Sequence, residues 1–243
     1  MSSSDVEHAE ATQARFAGSV ERMVEHEQSR REELRAEVRR FLEPTGDERV
    51  VDVGAGTGGF AFAVAPLVKE VVAVDVVPEV LAAGRARAER EFPNVTFVEA
   101  DAAGLPFEGG AFDLAAAVRT LHHVARPELV VAELTRVIGM RGRVLIVDQI
   151  APVDPLVGFE LDRFERARDP SHTRLLPDTD IRSLLDANGL VLRRSAQHQE
   201  ARDVDGYLDL AGCAGDDRQR ALSVAPENYT ATIGWYLATR QAV

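Results

Sequence analysis

Three carboxylates in the first half of the chain close short apolar runs at similar intervals: Asp52 in RVVDVG, Asp75 in EVVAVDVV and Asp101 in NVTFVEAD. Directly behind the first comes Gly54-Ala55-Gly56-Thr57-Gly58-Gly59, where missing Cβ atoms let the backbone turn sharply and lie against a ligand. Such a turn opens a helix whose free N–H groups favour an anion, and an acid about 20 residues further on accepts from ribose hydroxyls. A third acid, Asp101, can accept from an adenine amino group while the N–H of Ala102 reaches a ring nitrogen. Behind a fourth apolar run, FDLAAAV, stand Val118, Arg119 and the pair His122-His123. Histidine titrates near neutrality, so either ring is a candidate general base.

The glycines admit two readings. Gly54-x-Gly56-x-x-Gly59 is the dinucleotide fingerprint, whereas Asp52-x-Gly54-x-Gly56-x-Gly58 is the loop that carries S-adenosylmethionine. Asp75 suits both. Asp52 favours the second, because residues ahead of the first glycine in a dinucleotide site are apolar packing, and Asp101 favours it too. A nicotinamide-dependent oxidoreductase on the same general fold is the alternative; a protein that binds S-adenosylmethionine without catalysis is another.

The acids have to be positioned by parallel strands. Apolar runs at 49–53, 70–77, 94–101, 112–118 and 143–150 alternate with helical patterns at 59–68, 78–91 and 125–138. Strand and helix alternating at this spacing predict an α/β, Rossmann-like, doubly wound sheet covered on both faces, with ligands at the carboxyl ends of its strands. After Ile150 the rhythm loosens: residues 151–176 form a charged excursion, PDTDIRSLLDANGL a helix, VLRRSAQHQ a sixth strand, DVDGYLDLAG a short helix and TATIGWYLATR a seventh strand. Ahead of the sheet, residues 1 to 12 read as frayed, and Phe16–Leu42 as a charged helix whose narrow apolar face holds Val20, Met23, Leu34, Val38 and Leu42. It ends at Glu43-Pro44-Thr45-Gly46. The domain reading is a helical extension at 1–45 and a ligand-binding domain at 46–243, with 1–45 and 151–176 as lid elements.

A net charge of −12 disfavours a nucleic acid or an anionic lipid surface as partner, since both are bound through Lys and Arg. One cysteine, Cys213, excludes an internal disulfide and a thiolate-rich zinc site. No secretory leader is legible, and no apolar run nears the roughly 20 residues of a membrane helix. The expectation is a cytoplasmic protein, monomer or homodimer, with no metal.

The phrases VVDVGAGTGGFAFAVA, VVAVDVVPEVLAAGRARA, VTFVEADAAGLPFEGGAFDLAAAVRTLHHV and ELTRVIGMRGRVLIVD resemble the class I S-adenosylmethionine-dependent methyltransferases, most closely the ubiquinone and menaquinone biosynthesis group. The likeness covers about Arg49 to Asp148, and RDPSHTRLL with IRSLLDANGL extends it to about residue 190. It implies a seven-stranded, mostly parallel sheet and methyl transfer to a small molecule with release of S-adenosylhomocysteine. By that resemblance Gly54, Ala55 and Gly56 line the methionine part, Asp75 holds both ribose hydroxyls and Val76 flanks the adenine. Asp101 and Ala102 read its edge, and Val118 and Arg119 face the amino group and sulfonium. Gly139-Met140-Arg141-Gly142-Arg143 departs from the family's Pro-Gly-Gly turn, which predicts a local change there with the cofactor site untouched.

Methyl transfer from a sulfonium is an in-line displacement, so a base is needed only for a protic acceptor. His123 and His122 are the first candidates and His172 in RDPSHTR a second, the latter reading otherwise as a surface turn stabilised by Asp169 and Ser171. Arg119 orients an anionic substrate or pairs with a nearby acid; Tyr207 and Trp235 read as packing. The fourth strand lacks an Asn/Asp-Pro-Pro-Tyr sequence, which disfavours base amines and glutamine amides and leaves carbon, oxygen or nitrogen of a small molecule as acceptor.

Overall fold

The chain runs α1 (Ser3–Ala17), α2 (Val20–Leu42), β1 (Arg49–Val53), α3 (Gly59–Val64), β2 (Glu70–Asp75), α4 (Pro78–Glu91), β3 (Val95–Glu99) and β4 (Phe112–Val118), then α5 (Pro127–Val137) and β5 (Ile138–Ile150). It closes with α6 (Pro155–Arg168), α7 (Asp178–Ala187), β6 (Leu190–Ala201), α8 (Val204–Ala211), α9 (Gly215–Leu222) and β7 (Thr230–Arg240). The computed structural model describes residues 3–241. One seven-stranded sheet has the order β3-β2-β1-β4-β5-β7-β6. All neighbours are parallel except β7, which runs antiparallel between β5 and β6. The sheet and its mostly parallel pairing are as expected. Between β1 and β4 the chain reverses its direction of travel across the sheet, and a crevice opens at the carboxyl ends of such a pair.

Alternate side chains of the central strands enter two cores. Val50, Val71, Ala73, Leu114 and Ala116 face α2 and α3, while Val51, Val53, Val74, Ala115 and Ala117 face α5 and α7. Burial of such a valine contributes about 1.5–3 kcal/mol relative to exposure, which is why these runs are apolar on both faces.

The amino-terminal segment differs from expectation. It is two helices, broken at Gly18-Ser19, and helix begins at Ser3 where fraying was expected. Tertiary contacts hold it: Arg15 Nε donates to Asp169 at 2.7 Å, and Phe16 meets the His123 ring edge-on at 5.1 Å. Of the expected apolar face of α2, Val38 and Leu42 are buried, joined by Phe41, while Val20, Met23 and Leu34 are half-buried. At the other end of the sheet, Ile138 pairs with Phe112 and Arg143 with Leu114, so the residues between them form the altered turn, with Met140 exposed. That turn opens β5, at the edge opposite the glycine loop. Among the described residues no helix is long and apolar enough to cross a membrane.

Candidate functional site

The carboxyl end of β1 turns on its glycines. The N–H groups of Gly54 and Ala55 both donate to Val74 O, at 2.8 and 2.9 Å, which ties the loop to β2. Gly54 has φ +72°, and a Cβ there would lie 2.3 Å from Thr120 Cγ2. Gly58 is likewise closed off by Phe62 and Phe97. The sequence reading gives all three glycines to a ligand, but packing alone already requires two of them. Gly56 differs: its nearest neighbour is Met23 Cε of α2, 3.1 Å from an added Cβ, so it faces the helical extension.

Three carboxyls gather around this loop. Asp52 is 1% exposed, and its Oδ2 has no hydrogen-bond partner. Burial pushes its carboxyl up to about 8 against a hydrogen bond from the Ala61 backbone N–H, with Asp75 and Glu27 adding to the rise. Asp75 is also raised by burial, although its Oδ2 accepts from Gly56 N at 2.8 Å and its Oδ1 from Val76 N and Val77 N at 2.8 and 3.0 Å. Glu27 descends from α2 to pair with Arg87 at 2.9 Å beside Thr57 and Gly59, and burial raises it too. Beyond them Val76 is 55% exposed, an apolar surface next to Asp75. Asp101 is exposed at the end of β3, its Oδ1 accepting from Ala103 N at 2.8 Å, and Ala102 beside it is half-buried.

The two histidines that follow β4 have different surroundings. His122 Nδ1 lies 2.5 Å from Asp148 Oδ1 on β5, and the His122 backbone N–H also reaches that carboxylate. Burial pushes Asp148 up, but the His122 charge and hydrogen bond outweigh it and hold the carboxyl below its ordinary value. His123 is enclosed by Phe16 and by Ser171, whose Oγ lies 2.9 Å from its Nδ1; burial, then His122, pushes His123 well below the usual histidine range. His172 sits in the expected Asp169–Ser171 turn, yet that turn is buried rather than on the surface, with His172 Nε2 2.8 Å from Asp162 and its ring 5.7 Å from that of His122. The excursion at 151–176 thus closes over the carboxyl edge of β4 and β5, pinned where Thr173 N donates to His122 O at 2.8 Å.

A second polar cluster lies over β4, β5 and β6. Arg119 has φ +58°, unusual for a residue with a side chain, and its Nη2 holds both oxygens of Glu200 at 2.8 and 2.9 Å. Such strain gathers at functional sites. Glu165 of α6 is buried among Arg168, Arg202, Tyr207, Tyr229 and Gln149. Burial pushes its carboxyl up, but Arg168, Tyr229 and Arg202 outweigh that and hold it at about 2. Tyr207, expected as packing, has the guanidiniums of Arg168 and Arg202 3.9 and 4.3 Å from its ring centre. Trp235 does pack, edge-on against Phe41.

The structure therefore brings Asp52, Gly54, Ala55, Gly56, Gly58, Asp75, Val76, Asp101 and Ala102 to the carboxyl ends of β1 to β3, and Val118, Arg119, His122 and His123 to the end of β4. Sequence reasoning missed Glu27, Asp148 and Glu200. Asp148 carried a usable signal, an acid closing the apolar run RVLIVD, the same mark that identifies Asp52 and Asp75. Among the described residues no group of three His, Cys, Asp or Glu is placed to hold a metal.

Residues 51–146 match the family described as a methyltransferase domain. An uncharacterized methyltransferase of Bacillus subtilis, YcgJ, is 30% identical over 178 residues, 73% of this chain and 70% of that protein. A demethylmenaquinone methyltransferase of Clavibacter sepedonicus is 36% identical over 137 residues, 56% of each chain, so the match spans little more than half of that enzyme. A candidate methyltransferase of Bacillus halodurans superposes with a TM-score of 0.79 at 25% identity, covering 86% of this chain and 99% of its own. The chain belongs to the class I methyltransferases, and within them it resembles the ubiquinone and menaquinone biosynthesis group.

Proposed function

We propose that the chain transfers the S-methyl group of S-adenosylmethionine to a small-molecule acceptor and releases S-adenosylhomocysteine. The observation that carries the reading is the unpartnered, buried Oδ2 of Asp52 beneath the glycine loop, with Asp75 and Glu27 close by. The Ala61 backbone N–H reaches the Asp52 carboxyl but leaves Oδ2 open; a buried oxygen with no donor is costly unless a ligand supplies one, and the ammonium of S-adenosylmethionine is such a donor. The ammonium of S-adenosylmethionine can donate to these oxygens, whereas the pyrophosphate of a nicotinamide dinucleotide brings only acceptors.

In this reading Gly54, Ala55 and Gly56 line the methionine part, and Asp75 accepts from both ribose hydroxyls. Val76 covers one face of the adenine, and Asp101 with the Ala102 N–H reads its edge. Val118 and the backbone of Arg119 border the amino group and sulfonium, the Arg119 guanidinium being held away by Glu200. When bound, the cofactor would supply an electrophilic methyl carbon: an electron pair of the acceptor's carbon, oxygen or nitrogen would form the new bond as the S–C bond breaks and its electrons pass to sulfur. The chain's own part is to align the acceptor, exclude water with α1, α2 and α6, and take a proton from a protic acceptor. His122 suits that last task, because Asp148 fixes its Nδ1 and leaves Nε2 to receive the proton. His123, enclosed and strongly shifted toward its neutral form, supports the ring of His122 at 4.1 Å.

Calorimetry tests the reading. S-adenosylhomocysteine should bind and NAD or NADP should not, and Asp75→Ala should weaken the former severely, since charge-assisted bonds to two hydroxyls are lost. Binding of NAD alone would establish the oxidoreductase alternative. Binding of S-adenosylhomocysteine with no turnover across an acceptor screen would leave a non-catalytic binder.

A further inference from the structure

One carboxylate at the carboxyl end of β6 answers three guanidiniums from three parts of the chain. Glu200 lies 2.8 Å from Arg119 Nη2, 3.5 Å from Arg30 Nη2 of α2 and 3.6 Å from Arg202 Nη2. The next acid inward, Glu165, is shared between Arg168 at 2.9 Å and Arg202 at 3.9 Å. Four guanidiniums thus divide two carboxylates. Arg30 also reaches Glu33 at the surface, and Arg168 reaches Asp169, which Arg15 already holds. With Arg15, Glu33 and Asp169 counted, five guanidiniums face four carboxylates, a local excess of one positive charge in a chain of net charge −12.

The charge is also sorted across the crevice. Over β1 and β2 stand the acids Asp52, Asp75 and Glu27; over β4 to β6 stand the arginines. Arg119 is at the seam, directly after β4, and Glu200, with a side chain 23% exposed on the outermost strand, has room to withdraw. A guanidinium matches a carboxylate through parallel N–H bonds, and Glu200 demonstrates that a carboxylate fits here. We propose that the methyl acceptor is a small molecule bearing a carboxylate, which binds Arg119 and Arg202 in the place that Glu200 now fills. This rests on the methyltransferase reading and names the substrate class of that same site.

The test uses benzoate and its neutral counterpart benzamide, each titrated by calorimetry into the full chain saturated with S-adenosylhomocysteine. Benzoate should bind at least about tenfold tighter than benzamide, a difference of one charge-assisted contact. Glu200→Gln keeps the volume and removes the competing charge, so benzoate affinity should rise while that of benzamide stays put; Arg119→Gln should abolish the benzoate preference. Equal binding of the two probes, binding of neither, or weaker benzoate binding in Glu200→Gln overturns the proposal. The wild-type comparison decides it even if a variant fails to fold. A first titration with S-adenosylhomocysteine alone reports on the methyltransferase reading separately: its failure sinks that reading, and the carboxylate titrations, repeated without it, are then judged alone.

Discussion

Asp148 on β5 holds the imidazole of His122 through a hydrogen bond of 2.5 Å between Oδ1 and Nδ1, while the same Oδ1 accepts from Gln149 N at 2.8 Å. The carboxylate is 2% exposed and its orientation is set by backbone, so it fixes the His122 ring through Nδ1. If His122 is the base for a protic acceptor, Asp148→Asn and His122→Asn should each lower kcat by about 10²–10⁴. The double variant should lose little more than either single one, because the two groups act as a unit. Rates unchanged in both single variants would remove the base from the mechanism.

Gly54→Ala should destabilise the fold. Its Cβ would enter the space of Thr120 Cγ2 and Oγ1, at 2.3 and 2.6 Å, in a backbone conformation that L-residues avoid. Overpacking costs about 1–3 kcal/mol and the left-handed conformation about 1–2 kcal/mol. Thr120→Ala in the same chain should recover the overpacking part only, which urea denaturation of the four members of the cycle would read as a coupling energy. Purely additive losses would mean that the loop shifts away from Thr120 at no cost.

The sheet was legible because its message is local. Runs of β-branched residues closing on an acid or a glycine turn mark β1, β2, β3 and β5, and Asp52, Asp75 and Asp101 fall where that pattern puts them. The antiparallel insertion of β7 between β5 and β6 was not, since TATIGWYLATR reads as a strand whichever neighbours it takes. The lid role of the amino-terminal segment and the apolar place of Met23 are legible, but Glu27 looks like any residue of a charged helix; only docking on the glycine loop gives it Arg87 as a partner. Glu200 is 81 residues from Arg119 and ends the polar tract SAQHQE, so nothing local marks it. The turn RDPSHTR was recognised from Asp169 and Ser171, but its burial depends on α1 covering it.

Stability should vary with pH through Asp52. Its carboxyl is raised by burial from 3.8 to about 8, so within that window the unfolded chain carries the charge while the folded chain keeps the proton. Folding then takes up a proton, and the contribution, complete below pH 3.8, is lost as pH rises toward 8. Asp52→Asn cannot ionise and should flatten this part of the curve, gaining most over wild type near the alkaline end. Denaturant midpoints for both proteins at several pH values measure it; parallel curves would show that Asp52 is ionised in the folded state.

Arg15→Ala should loosen the cover from α1. Arg15 and Asp169 pair at 2.7 Å with side chains 8% and 0% exposed, so removing the arginine strands a buried carboxylate, a change that costs about 3–5 kcal/mol when nothing replaces the partner. Arg168, 3.7 Å away, and the Ser171 hydroxyl remain, which places the expected loss toward the lower end. Burial pushes Asp169 up, but Arg15, His123 and Arg168 more than reverse it and hold the carboxyl well below its ordinary 3.8. A depressed carboxyl contributes stability that is complete above 3.8 and disappears as pH falls through its folded value. The gap between wild type and Arg15→Ala should therefore be full at neutral pH and shrink in acid. Denaturant midpoints across that range give the gap, and hydrogen exchange of α1 amides shows whether the loss is confined to the cover; a gap that does not change with pH would mean that Arg15 acts through packing alone.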